Sequence, residues 1–192
     1  MWSSSGKRFT AAEYRAVLAV LTMAAAGVKA QAPRSATDEQ VRPVFLYQLA
    51  QYVTWPGEKA RTADVLRFCV LEDARLAESL AAVVRDKSIQ GRPLAVSKVK
   101  DSDPLADCHL VFVGLTKKKT LREFLGRWTY PPVLLVGEAE EFAELGGMVN
   151  LKVDGGRVSF QINLESTERA GLTVRSQLLR LAHIVGPQRS RP

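Results

Sequence analysis

Two short loops in this sequence carry side chains that could do chemistry. Glu72 and Asp73 follow an apolar stretch in "LEDAR", and adjacent carboxylates can act as a general acid and a general base. Lys117, Lys118 and Lys119 follow another apolar stretch in "GLTKKKT", and ammonium groups near the start of a helix can hold an anion. Each loop also has a simpler interpretation, which we favour. Carboxylates in a first helical turn compensate the helix dipole, and a run of lysines forms a solvated loop.

The remaining candidate residues do not form a catalytic set. His109 opens an apolar stretch, and His183 lies among apolar residues of a predicted C-terminal helix. The sequence lacks the Gly-x-Ser-x-Gly motif of a nucleophile elbow. The glycines of "VDGGRV" separate two runs in which apolar and polar residues alternate, which predicts a β-hairpin turn and not a phosphate-binding loop. We therefore predict no catalytic residues and no cofactor.

The N-terminus predicts export. Lys7, Arg8 and Arg15 precede an apolar run at 16–28, and the small-x-small sequence "VKA" ends at Ala30. This order is typical of a secretory signal peptide, here residues 1–30. The run is shorter than the roughly 20 residues that span a bilayer. An uncleaved anchor or a buried helix is the alternative.

The charge and length of the mature chain limit the functions that it can have. Cleavage after Ala30 removes 30 of the 192 residues, which leaves 162, enough for one domain with a sizeable core. The cations at positions 7, 8, 15 and 29, with Glu13, contribute +3 of the formal charge of +7, so the mature chain is near +4. This mild charge does not support nucleic-acid binding, which shows a concentrated basic face. We predict a linker at 31–40, one domain at 41–185 and a disordered tail at 186–192.

Cys69 and Cys108 are predicted to form a disulfide, because an even cysteine count is typical of exported proteins with disulfides. Two buried thiols are the alternative. A simple parallel register of the predicted strands would place the two Cα atoms beyond the limit of about 7 Å. A zinc site that adds His109 and His183 is disfavoured, because only Cys108 and His109 are close in sequence and strand neighbours point to opposite faces. We predict no metal site.

Hydrophobic periodicity predicts an α/β fold. Apolar runs and alternating patterns predict strands at 65–71, 94–99, 109–113 and 133–137, and a hairpin over 149–163. Helical spacing predicts helices within 41–53, at 74–84, at 120–125 and over 165–185. Because proline is tolerated only in a first helical turn, Pro43 predicts that the first helix begins near Arg42 or is kinked there. The order of elements predicts a single three-layer Rossmann-like domain with a mostly parallel sheet and a C-terminal hairpin, in which a ligand would lie beyond the carboxyl ends of the strands.

Several stretches, in this order and spacing, resemble the YfiR family of periplasmic proteins over about 41–185. They are "FLYQLAQYVTWP", "LRFCVL", "IQGRPLAV", "CHLVFVG" and the C-terminal block from "FAELGGMVNLKV" to "AGLTVRSQLLRLA". The residues that match the family's pattern are Trp55, Pro56, Gly146, Gly147, Met148, Asn163, Gly171 and Leu172.

The resemblance implies a non-catalytic repressor. Such a protein binds the periplasmic sensory domain of an inner-membrane diguanylate cyclase and lowers cyclic di-GMP. The resemblance further implies a homodimer and sequestration by an outer-membrane lipoprotein. Some relatives carry a second cysteine pair in the region that matches 146–154, and this chain has none there. A redox dependence that rests on that pair is therefore not expected.

Tyrosines and arginines are the predicted partner-binding residues, because both are enriched at binding hot spots. They are Tyr47, Tyr52, Arg169, Arg175 and Arg180. A periplasmic small-molecule or anion-binding protein is the alternative function, and it would use the lysine loop and the ends of the strands. An exported hydrolase is a third and weaker hypothesis.

Overall fold

A mixed sheet of eight strands forms the centre of the domain. The computed structural model describes residues 36–57 and 65–186. The predicted signal peptide and the tail from residue 187 onwards lie outside this part of the chain.

Five helices and ten strands occur in the described residues. The helices are α1 (Ala36–Gln51), α2 (Ala74–Val84), α3 (Lys118–Gly126), α4 (Leu164–Arg169) and α5 (Ser176–Leu179). The strands are β1 (Val53–Thr54), β2 (Leu66–Leu71), β3 (Ser88–Ile89), β4 (Arg92–Val99), β5 (Leu110–Val113), β6 (Leu134–Gly137), β7 (Val149–Asp154), β8 (Arg157–Asn163), β9 (Thr173–Val174) and β10 (His183–Val185).

The order of strands in the sheet is β10-β8-β7-β6-β5-β2-β4-β3, and β1 and β9 pair separately as a short antiparallel ribbon. The pairs β3–β4 and β7–β8 are antiparallel, whereas the other neighbours in the large sheet are parallel. Every residue of β5 and β6 is buried, so both faces of the sheet are covered at its centre. The mixed α/β class is confirmed, and the three-layer Rossmann-like arrangement stays a prediction.

The predicted strands β2, β4, β5 and β6 and the hairpin form within one or two residues of their predicted bounds. The hairpin turn has Gly155 and Gly156 at positive φ (56° and 77°), the conformation that Asp-Gly-Gly tolerates. Helix α1 packs its apolar side on the core through Leu46 and Leu49, which are fully buried. The ring of Phe45 contacts that of Phe160 on β8 with centroids 5.2 Å apart, so α1 also covers the hairpin.

The predicted start of the first helix was wrong. Helix α1 begins at Ala36, inside the predicted linker, and contains Pro43 in its interior. Proline removes one backbone hydrogen bond there. Tertiary contacts hold the turns before Pro43. The Asp38 carboxylate accepts a 2.7 Å hydrogen bond from the Gly156 N–H, and Arg42 is held by two ion pairs.

The predicted helix over 165–185 was also wrong. Asn163 caps α4 by accepting from the Ser166 N–H at 3.0 Å, but the helix ends at Arg169 because the chain turns through Gly171 at φ 69°. The following residues form β9, the single turn of α5 and then β10, so His183 lies on a strand. Pairing of β9 with β1 and of β10 with β8 outweighs the helical spacing of the apolar residues.

Candidate functional site

Arg42 is the centre of a buried ion-pair cluster at the carboxyl edge of the sheet. Its side chain is 4 % exposed, and its Nε donates to Glu138 Oε1 at 2.6 Å. Its second terminal nitrogen donates to Asp73 Oδ2 at 2.8 Å. The guanidinium carbon lies 5.2 Å from the centroid of the Phe112 ring. Helix α1 is thereby attached to the ends of β2 and β6 and rests on a ring from β5.

Asp73 has a second role in this cluster. Its Oδ1 accepts from the Leu76 N–H at 3.0 Å and caps α2. Asp73 therefore supports the helix as its N-cap, one residue before the first turn, and not as the predicted first-turn carboxylate. Both oxygens of Asp73 accept hydrogen bonds, from Arg42 and from the Leu76 N–H, whereas Glu72 is exposed. This arrangement does not favour Glu72 and Asp73 as an acid–base pair.

A cavity of about 290 Å³ adjoins the cluster. It is lined by Arg42 and the residues that follow β2, β5 and β6. Glu72 lies at its rim in the left-handed region, with φ 59°. Gly114 lies where a Cβ atom would approach the carbonyl oxygen of Leu71 to 2.6 Å, so only glycine lets the two strand ends come this close.

The lysine loop does not enter this cavity. Lys118 forms an ion pair with Glu141 at 2.5 Å, and Lys117 and Lys119 are exposed. The hydrogen bond from Lys118, together with the charge of its ammonium group, lowers the pKa of the Glu141 carboxyl. These positions fit the solvated-loop interpretation better than an anion site.

The disulfide between Cys69 and Cys108 is confirmed, with the Cα atoms 6.0 Å apart. In the parallel register of β2 and β5, Cys69 pairs with Val111. A straight extension of β5 towards its N-terminus would therefore place Cys108 three positions away from Cys69. A 3-10 turn at Leu105–Asp107 and a bend at His109 bring Cys108 back to β2. Because of this path before β5, the two Cα atoms lie within the disulfide limit that a simple parallel register would exceed.

The disulfide lies next to Trp55, which attaches the chain after α1 and β1 to the start of β5. The Trp55 indole nitrogen donates to the His109 carbonyl oxygen at 2.8 Å, and the two rings meet edge to face. The Arg67 backbone N–H donates to His109 Nδ1 at 3.1 Å. Both aromatic side chains are buried, so His109 has a structural position and does not face solvent.

The β1–β9 ribbon brings two of the predicted partner-binding residues together. Val53 pairs with Val174, and the Arg175 N–H donates to the Tyr52 carbonyl oxygen at 2.9 Å. Tyr52 is 36 % exposed, and the Arg175 side chain is exposed beside it. Arg180 and the exposed Leu181 follow directly after the short helix α5 (Ser176–Leu179), which begins next to Arg175. We call Tyr52, Arg175, Arg180 and Leu181 the ribbon patch.

The two other predicted residues have partners of their own. The Arg169 guanidinium lies 4.0 Å above the Tyr130 ring, a cation–π contact. Tyr47 is half-buried, and its hydroxyl lies 3.5 Å from the Ser88 carbonyl oxygen, next to β3. The structure thus joins Tyr52 with Arg175 and gives no contact that joins Tyr47 to them in the described residues.

Sequence reasoning missed Arg42 and Leu181. Arg42 lies four and seven residues before Leu46 and Leu49, and this helical spacing places it on the buried face. A lone arginine on an apolar helix face is the signal that could have identified it. Leu181 is 77 % exposed, the most exposed large apolar side chain in the described residues. No local signal predicts its exposure, because it was assigned to a helix that does not form.

The residues of the predicted family pattern have structural contacts. Gly147 lies where a Cβ atom would approach the Phe142 ring to 2.2 Å, and the Met148 sulfur accepts from the Leu135 N–H at 3.4 Å. Asn163 caps α4 and donates to the Ala143 carbonyl oxygen at 2.8 Å. Trp55 and Leu172 are buried, Gly146 and Gly171 have positive φ, and Pro56 lies against Gly171.

Two structural features are absent from the described residues. No group of three or more histidine, cysteine, aspartate or glutamate side chains is arranged there to hold a metal ion. None of the helices in that part combines the length and the apolar composition needed to cross a membrane.

The comparison with protein families agrees with the landmarks described above. The model of the YfiR/HmsC-like family matches residues 39–183, which is three quarters of the chain and nearly all of its described part. The match includes the buried Trp55, both cysteines of the disulfide, the hairpin and the ribbon patch. The chain belongs to the YfiR/HmsC-like family.

Proposed function

We propose that this protein is a non-catalytic periplasmic regulator that binds the periplasmic sensory domain of an inner-membrane diguanylate cyclase and represses it. Membership of the YfiR/HmsC-like family supports a role in diguanylate cyclase signalling. A soluble domain that binds one conformation of a sensor shifts the population of that sensor without catalysis. Lower cyclic di-GMP is the consequence.

The observation that carries this proposal is the ribbon patch. It combines an exposed tyrosine, two exposed arginines and Leu181, which is 77 % exposed. Tyrosine and arginine are enriched at protein-binding hot spots, and an exposed large apolar side chain favours burial against a partner. The patch is also held in place, because β1 continues into the buried Trp55 and Leu172, which precedes β9, is buried as well.

Three further parts of the proposal concern assembly and architecture. The protein forms a homodimer, and an outer-membrane lipoprotein sequesters it from the cyclase. The sheet is the central layer of a three-layer Rossmann-like domain, which the complete burial of β5 and β6 supports. Catalytic activity forms no part of the function.

Repression depends on the ribbon patch. Replacing Arg175 and Leu181 together, as Arg175→Glu with Leu181→Asp, should abolish repression, because it reverses one charge and removes the exposed apolar contact. Deleting the gene should raise cyclic di-GMP and surface attachment, and the wild-type gene should restore the low level. The double variant should not restore it, although its free energy of unfolding should change by only about 0.5 kcal/mol per exposed site.

Arg157→Glu is the matched control, because Arg157 is exposed at the start of β8, outside the ribbon patch. It should restore the low level as the wild type does. Equal repression by the double variant and the control would exclude the ribbon patch as the binding surface. Unchanged cyclic di-GMP after deletion, under several growth conditions, would exclude the repressor function itself.

Export is required for this function. The mature protein should begin at or near Gln31 when it is isolated from the periplasm and its N-terminus is sequenced. A variant that lacks residues 1–30 but keeps a start methionine should fail to repress, because it cannot meet a periplasmic sensor domain. Recovery of the full-length chain from the cytoplasm, with repression intact, would contradict export.

A further inference from the structure

His109 is a buried histidine whose ring accepts a hydrogen bond from the main chain. The residue is 2 % exposed, and its Nδ1 accepts from the Arg67 N–H at 3.1 Å. Because a backbone N–H can only donate, Nδ1 carries no proton here and the imidazole is neutral. Protonation would place a second N–H at Nδ1, directed at the N–H of Arg67, and would break this hydrogen bond.

The elements that hold the ring favour its neutral form. The Trp55 ring meets it edge to face, with the centroids 5.8 Å apart, and Cys108 of the disulfide precedes it in the chain. Among the residues of β2, β5 and β6, only Arg67 is charged, and its side chain is exposed. Asp107, two residues before His109, is exposed as well. Taking up a positive charge in a buried, largely apolar position is unfavourable.

His109 also holds the strand that carries the ribbon patch. Its carbonyl oxygen accepts from the Trp55 indole N–H at 2.8 Å, and Trp55 follows β1 directly. Strand β1 pairs with β9 through two residue pairs, and the Arg175 N–H donates to the Tyr52 carbonyl oxygen. A ladder this short is marginal by itself, so the ribbon depends on the attachment of Trp55 to the core. Displacement of the His109 ring therefore reaches the ribbon through one side chain.

We propose that His109 couples the ribbon patch to pH, so that acid loosens the patch. In an unfolded or locally opened chain a histidine takes up a proton near pH 6.5, whereas the ring bound to Arg67 does not. The contact is therefore fully stabilising above about pH 6.5, and its contribution is lost as the pH falls below that value. Histidines act as pH sensors at interfaces in this way. Weaker repression in acid rests on the proposed function, whereas loosening of the patch does not.

Hydrogen exchange of the purified protein at pH 7.5, 6.5 and 5.5, corrected for the intrinsic exchange rates, tests the proposal. The indole N–H of Trp55 and the backbone N–H of Arg175 report on the ribbon. The opening equilibrium constant at both groups should rise by up to about tenfold between pH 6.5 and 5.5, because the open state binds one more proton. His109→Asn should remove this dependence, because its side-chain oxygen can accept from the Arg67 N–H and does not titrate.

His183→Gln is the matched control, because His183 is the other histidine of the chain and is exposed on β10. It should keep the pH dependence of the wild type. If His109→Asn does not fold, the ring ¹⁵N shifts of the wild type replace it, and protonation of His109 and loss of protection should share one midpoint. Different midpoints, the same pH dependence in His109→Asn as in the wild type, or unchanged protection down to pH 5.5 would each overturn the proposal. No cyclase is present in the assay, so this result and the test of repression are independent.

Discussion

Replacing Arg42 with alanine is expected to lower the free energy of unfolding by about 3–5 kcal/mol, because it removes the central partner of a buried ion-pair cluster. The side chains of Asp73 and Glu138 are only 17 % and 13 % exposed. They would lose the guanidinium that compensates their desolvation. For a domain of this size the thermal midpoint should fall by roughly 10 °C. Urea denaturation followed by circular dichroism measures the change.

Arg75→Ala is the matched control for this prediction. Arg75 also forms an ion pair, with Glu39 at 3.8 Å, but its side chain is 90 % exposed. Exposed pairs contribute only about 0–1 kcal/mol, so this variant should unfold almost as the wild type does. Arg42→Lys should lie between the two, because lysine keeps the charge and loses the planar fork that contacts two carboxylates. Equal stability of Arg42→Ala and Arg75→Ala would show that the cluster has no net stabilising effect.

Removal of the disulfide is expected to have an effect of similar size. The Cys69–Cys108 bridge closes a loop with a sequence separation of 39. The chain-entropy relation then gives about 4 kcal/mol of stabilisation through the unfolded state. We expect the double variant Cys69→Ala with Cys108→Ala to lose about that much. Denaturation with and without a reductant measures it.

The reductant distinguishes the disulfide from simple packing. Reduced wild-type protein should unfold near the midpoint of the double variant, and the variant should not respond to reductant. Both cysteines are buried, and Cys108 precedes His109, whose carbonyl oxygen accepts from the Trp55 indole N–H. Loss of the bridge should therefore also lower the protection of this indole N–H from hydrogen exchange. A wild-type midpoint that is the same under oxidising and reducing conditions would contradict a stabilising bridge.

Local patterns predicted those elements whose structure depends on their own residues. Apolar runs identified β2, β5 and β6, because strands buried on both faces are nearly continuous in apolar residues; Arg67 in β2 is their one exposed position. Alternation on both sides of Asp154-Gly155-Gly156 identified the hairpin, because the period and the turn chemistry agree there. Helix α2 was predicted with its observed ends, from helical spacing that follows a capping aspartate.

Elements that depend on distant residues could not be predicted in this way. The C-terminal block has helical spacing, yet β9 and β10 form because β1 and β8 offer unpaired strand edges. Pro43 predicted a helix start near Arg42, but the turns before it are helical as well. They are held by the hydrogen bond from Gly156 to Asp38 and by the ion pairs of Arg42 with Asp73 and Glu138. In each case contacts made after the chain has folded outweigh a local preference of at most a few kcal/mol.

The sequence by itself determined the class of fold, the two partners of the disulfide and the family to which the chain belongs. These follow from residue types and their order along the chain. Only the tertiary structure decided that Tyr52 lies beside Arg175 and that Leu181 is exposed. It also decided that Arg42 contacts both Asp73 and Glu138, which lie 31 and 96 residues after it in the chain. The physical reason is that local periodicity specifies which face of an element is buried, whereas strand order and chain crossings determine which buried or exposed faces meet.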